Sequence, residues 1–150
     1  MKKENKLGLF IWDTTDDKKT ILVRLVVGLI FLSEGIQKYL FPELLGTGRF
    51  IKIGFSHAAF WAYFAASFEI VCGIFVVLGL FTRLASIPLL IIMITAFITT
   101  KYPMLMLKGF WVTAHEYRVD FAMTLLLVYL LLSGGGKWSA DRKISQDLKT

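Results

Sequence analysis

Glu34 and Lys38 stand four residues apart in an otherwise apolar run, and Glu69 stands alone inside a second such run. Further along come Lys101, then His115-Glu116-Tyr117-Arg118, then Asp120. Carboxylates, an imidazole and fixed cations can exchange protons with a ligand and orient its polar atoms. A charge at mid-membrane costs at least ~2.5–3.5 kcal/mol on insertion scales, so such groups face protein or water and are functional candidates. The absences are also informative. Cys72 is the single cysteine, which excludes a disulfide framework, a CxxC redox pair and a thiolate zinc site. No metal site and no covalently bound cofactor are expected. His57 and His115 are the two histidines, and a bis-histidine haem is the weakest reading of them. Gly46-x-Gly48 lacks the flanking strand and third glycine of a dinucleotide site.

The elements that must hold these residues are membrane helices. The chain has 150 residues, 56% of them hydrophobic and 19% charged, with a mean hydropathy of +0.65. Four apolar stretches run over about 21–41, 58–81, 84–100 and 119–133. A span needs ~20 residues. The first two suffice, the third is at the short limit, and the fourth must begin earlier, inside His115–Arg118. Only Thr82-Arg83 separates spans two and three, which predicts a tight antiparallel pair. Pro88 is expected in the first turns of span three, where proline is tolerated. Residues 1–20 and 134–150 are expected as polar cytoplasmic segments flanking a transmembrane domain at 21–133. The apolar patch Leu7–Trp12 either lies flat on the membrane surface, with Trp12 among the headgroups, or belongs to a mobile tail.

Charge sets the orientation. Of 17 Lys and Arg, six fall on the side of the first and third loops: Lys38, Arg49, Lys52, Lys101, Lys108 and Arg118. The other eleven fall with the two termini. The positive-inside rule then predicts an all-α integral membrane four-helix bundle, N-in and C-in. The net charge of +6 follows from that topology and from contacts with anionic lipid rather than from nucleic-acid binding.

At ~100° per residue, Arg24, Glu34, Lys38, Gly28 and Gly35 share one face of span one. Leu25, Val26, Leu29, Leu32 and Ile36 form the opposite, lipid-facing arc. In span two, Ala62, Ala65, Ala66, Cys72, Gly73 and Gly79 share a face with Glu69, and small residues let another helix approach. Val77 falls opposite. The partner of Glu69 is expected to be Lys38 or Arg118; the alternative is a protonated acid bonded to a carbonyl. At ~1.5 Å per residue, Glu34 lies about 10 Å and Glu69 about 16 Å below the outer end of its span. Glu34, Lys38, Glu69, Lys101, His115, Glu116, Arg118 and Asp120 thus converge on the outer half, and we expect one ligand-binding pocket there. The alternative is an ion pair that only fixes packing, with a solvated rim of loop charges above it. Arg24 and Arg83, at the inner ends, are expected to reach lipid phosphates.

Several motifs fit one family. Ser33-Glu-Gly-Ile-Gln-Lys38, Phe41-Pro42, Gly46-x-Gly48-Arg49-Phe50, Phe68-Glu69-Ile70, Gly79-Leu-Phe-Thr-Arg83, Thr100-Lys101-x-Pro103, His115-Glu116-x-Arg118-x-Asp120 and Lys137-Trp138-Ser139-x-Asp141 together resemble the DoxX family over residues 18–141. The resemblance implies a small four-helix membrane protein. It also implies an association with membrane redox systems, since the family takes its name from a subunit of a thiosulfate:quinone oxidoreductase. A redox role without a cysteine pair requires a quinone, a bound cofactor or a partner protein.

Three functions follow as expectations. One is a quinone-interacting subunit, with His115, Glu34 and Glu69 as proton partners and Lys38 or Arg118 as donors. The second is a small-molecule or lipid-binding module or transporter without electron transfer. The third is a scaffold for a redox enzyme. Expected partners are membrane lipids, a quinone or other small molecule, and a redox partner protein or a second copy of the chain.

Overall fold

A computed structural model describes residues 11–147. Most of the Leu7–Trp12 patch therefore lies outside the described residues; Trp12 itself packs on Phe81, ring centroids 4.7 Å apart. Among the described residues all regular structure is helical: α1 (Thr20–Leu40), α2 (Thr47–Lys52), α3 (Ala58–Leu78), α4 (Thr82–Ala96), a π-helical segment (Phe97–Lys101), α5 (Tyr102–Lys108), α6 (Phe110–Ser133) and α7 (Ala140–Asp147). α4, the π segment and α5 form one rod of 27 residues. The architecture is four long helical rods with short α2 and α7 at their ends. α1, α3 and the Thr82–Lys108 rod are long and apolar enough to cross a membrane. The fourth rod, α6, has 24 residues and carries its charges in its first half.

Two expected spans change length. The third does not stop at Thr100. Proline at 103 removes an amide and crowds the turn before it, and a π turn absorbs the disruption, so the helix runs on to Lys108. The fourth begins at Phe110, well before the His-Glu-Tyr-Arg sequence. His115 to Asp120 are therefore helical residues rather than loop residues. Because α4 starts at Thr82, Pro88 lies inside the helix, in its second turn.

The tightest interface joins α1 to α3, where a close α3–α4 pair was expected. A Cβ on Gly28 would sit 2.8 Å from the Gly73 carbonyl oxygen, and one on Gly35 2.8 Å from that of Ala66. Backbones this close leave room for glycine alone. Arg24, Gly28, Gly35 and Lys38 are buried, while Leu25, Val26, Leu29 and Ile36 are exposed, as the helical period predicts. Val77 is not opposite this interface. Its Cγ2 lies 2.5 Å from the position of a Gly28 Cβ.

The common core holds Val27 and Phe31 of α1, Cys72 and Val76 of α3, Ala85 and Leu89 of α4, and Met123, Leu127 and Leu130 of α6. All nine lie toward the end where the two termini meet. That end is knotted. The Thr15 amide donates to the Ser133 carbonyl at 3.0 Å and the Lys137 amide to that of Asp17 at 3.1 Å. The α3–α4 turn there places Gly79 at φ +66° and Phe81 at φ +50°, a left-handed backbone that a bulky residue rarely adopts. The Asp141 carboxylate holds it, accepting from the Phe81 amide at 2.6 Å and the Thr82 amide at 2.9 Å. It caps α4 from outside the helix.

Candidate functional site

The half of the bundle away from the two termini carries the expected site residues. In α1, Lys38 points to α3, and its Nζ donates to Glu69 Oε2 at 2.5 Å. Glu34 Oε2 lies 3.9 Å from the same nitrogen. Lys38 is 8% and Glu69 3% exposed, so this is a charge pair taken almost wholly out of solvent. The Glu34 side chain, expected on the same packed face, is instead 48% exposed. The glycine contacts at Gly35 bring the two backbones close enough for the short link. Arg49 on α2 is the next cation whose charge reaches Glu69.

A second cluster lies between the π segment and α6. Lys101, also 8% exposed, reaches Asp120 Oδ2 at 3.3 Å and donates to the Glu116 carbonyl at 3.0 Å. The Phe97 and Tyr117 rings pack beside it at 5.1 Å. Here Glu116 contributes its backbone.

The eight expected residues thus fall into three groups rather than one. Glu34, Lys38 and Glu69 come together. So do Lys101, Asp120 and the backbone of Glu116. His115 and Arg118, both exposed, pair with each other on α6, Arg118 Nη1 donating to the His115 ring with Nδ1 at 2.8 Å. Among the described residues no hydrogen bond or ion pair links the groups. Of the two partners expected for Glu69, Lys38 is the one used.

The inner arginines are also placed differently from expectation. Arg24, 3% exposed, donates to four carbonyls: Val76 at 3.0 Å, Val77 at 2.7 Å, Gly135 at 2.9 Å and Trp138 at 2.7 Å. Two of these belong to the last turn of α3, whose carbonyls lack helical donors. Arg24 therefore ties three chain segments together instead of reaching lipid phosphates. Arg83 is buried as well. Asp141, fully buried and within reach of the Arg24 charge, is a structural residue that the sequence reading does not single out. Burial pushes its carboxyl up from the ordinary value, while its bonds to Thr82 and Phe81 and the Arg24 charge draw it down. The Lys-Trp-Ser-x-Asp spacing was its signal in the sequence.

An apolar groove of about 300 Å³ opens between α3 and α4, lined by Phe68, Val71, Cys72, Phe75, Phe81 and Leu84. It could hold a hydrocarbon chain, and it contains none of the expected site residues.

The comparisons with known proteins agree with this architecture. A family model described as DoxX matches residues 20–102. A protein described as an uncharacterized membrane protein of Mycobacterium tuberculosis is 50% identical over 132 residues, which are 84% of this chain and 81% of the relative. The protein named "Putative oxidoreductase CatD" of Bacillus subtilis is 33% identical over 116 residues, 77% of this chain and 78% of that one. No solved structure matches. Matched by the family model over more than half its length, this membrane protein belongs to the DoxX family.

Proposed function

We propose that this chain is a membrane subunit of a redox system in the bacterial cytoplasmic membrane, and that it interacts with a quinone through Glu34, Lys38 and Glu69 in the outer half of the bundle. The observation that carries the reading is the buried Lys38–Glu69 pair with Glu34 beside it. A buried ion pair adds little net stability compared with apolar side chains of the same volume. Inside a membrane such a pair marks a functional position by default. Three titratable side chains that meet at one ammonium can hold and release a proton while the fold keeps its shape. The relative named as an oxidoreductase supports a redox context.

In quinone reduction two electrons and two protons convert the two ring carbonyls to hydroxyls. The electrons come from a partner redox protein. This chain supplies an apolar slot, protons from its carboxyl groups, and the Lys38 ammonium to orient a carbonyl oxygen. Purification in native membrane discs, followed by mass spectrometry of the extracted lipids, tests the reading. Quinone retained at near one per chain, and lost from Glu69→Gln, supports it. Retention of phospholipid or a polar metabolite alone contradicts it.

A further inference from the structure

The four rods share a core only in their inner half. On α1 the stripe Val27–Phe31–Glu34 passes from buried to open: Val27 and Phe31 are at most 3% exposed, while the Glu34 side chain is at 48%. On α6 the facing stripe does the same. Leu130 is buried and Leu126 packs against the core, but Val119 is 55% exposed and His115 is exposed. Residues at i, i+4 and i+7 keep to one side of a helix, so each stripe leaves its partner as it rises. Above the core each side of the bundle holds itself together. α1 and α3 are joined through Gly35 and the Lys38–Glu69 pair. The π segment and α6 are joined through Lys101–Asp120 and Phe97–Tyr117.

The heights are similar. The Thr20 hydroxyl and the Tyr129 hydroxyl are 3.1 Å apart and fix the register of α1 against α6. Glu34 and His115 each stand fourteen residues beyond that contact, about 21 Å along their helices. They therefore stand on opposite walls of the gap, within about one or two helical turns of the same depth.

We propose that the outer half of the bundle is a cleft between the α1–α3 and α4–α6 pairs, open sideways to the lipid, that takes the ring of a lipid-soluble quinone between Glu34 and His115. This rests on the quinone reading above and says where the molecule sits and how it arrives. Each ring oxygen takes one proton, from the Glu34 carboxyl on one wall and, on the other, from the imidazolium that His115 becomes when its ring nitrogen gives up the bond from Arg118 and takes a proton instead. The two electrons come from the partner redox protein, and both groups regain their protons from the outer aqueous phase. Sideways access suits a ligand whose tail never leaves the membrane.

The test uses the full chain in discs of phosphatidylethanolamine and phosphatidylglycerol, with a photoreactive short-tailed quinone as probe. Saturable adducts should map to residues 27–38 and 112–123. Val119→Trp, which fills the gap from an already exposed position, should cut labelling about tenfold. Leu125→Trp, equally exposed on the outward side of α6, should leave it unchanged. Saturable adducts confined to the α3–α4 groove, or equal labelling of the two variants, would overturn the cleft and leave the quinone reading standing. An absence of saturable labelling anywhere would overturn both.

Discussion

Lys38 and Glu69 are separated by 31 residues of chain and meet at 2.5 Å, each almost completely shielded from solvent. The short link depends on Gly35, whose missing side chain lets α1 rest against Ala66 and Glu69 of α3.

Breaking this pair from its two sides should have unequal effects. Lys38→Met leaves a buried carboxylate without its cation, a loss of ~3–5 kcal/mol where such pairs are broken. Glu69→Gln keeps the shape and a polar atom near the ammonium, and should lower the detergent melting temperature far less. Replacing both residues by Met should recover most of the loss seen with Lys38→Met. A double variant no more stable than Lys38→Met would mean that the pair is not what holds α1 to α3.

The glycine contacts give a packing prediction. Gly73→Leu should disrupt the bundle, since a Cβ there already meets the Gly28 carbonyl at 3.0 Å. Val71→Leu, on the exposed side of α3, should be neutral. Val77→Leu should cost stability, because Val77 packs against Gly28. Thermal unfolding in detergent separates the three.

Much of this interface was legible from the sequence. The 3.6-residue period placed Arg24, Gly28, Gly35 and Lys38 on one side of α1 and the small residues with Glu69 on one side of α3. The period does not tell which neighbour each face meets, and the two-residue turn points α3 to α4, although its closest packing is with α1. The site was less legible. A helical wheel gives direction and depth but not the neighbour each charge meets, and Lys101 meets Asp120 on α6 while Lys38 meets Glu69 on α3. Arg24 was misread for a related reason. Its carbonyl partners at Gly135 and Trp138 come from a terminal segment whose return across the inner end has no periodic signature.

The inner knot predicts a distinct failure. Asp141→Asn puts an amide NH₂ against one of the two backbone N–H groups that cap α4, which should cost about 1–3 kcal/mol. Asp141→Ala loses both bonds and should cost more. Proteolysis in native membranes should then reach the Gly79–Phe81 turn sooner in both variants than in wild type.

The topology prediction follows from the shared location of the termini and the bias of basic residues toward that end. Cysteines introduced at Asp16 and Lys137 should react with an impermeant maleimide only from the cytoplasmic side, and cysteines at Lys52 and Lys108 only from the outer side. Reaction of Asp16→Cys and Lys137→Cys from opposite sides would contradict an even number of crossings.

The most direct measurement is quinone affinity itself. A short-tailed quinone titrated into the disc-reconstituted chain should bind saturably, and Glu34→Gln and Glu69→Gln should each weaken binding by about tenfold or more, or ~1.4 kcal/mol, while both variants stay folded. Wild-type affinity in both variants, or no saturable binding to the wild-type chain, would contradict the assignment of the Glu34–Lys38–Glu69 cluster to a quinone.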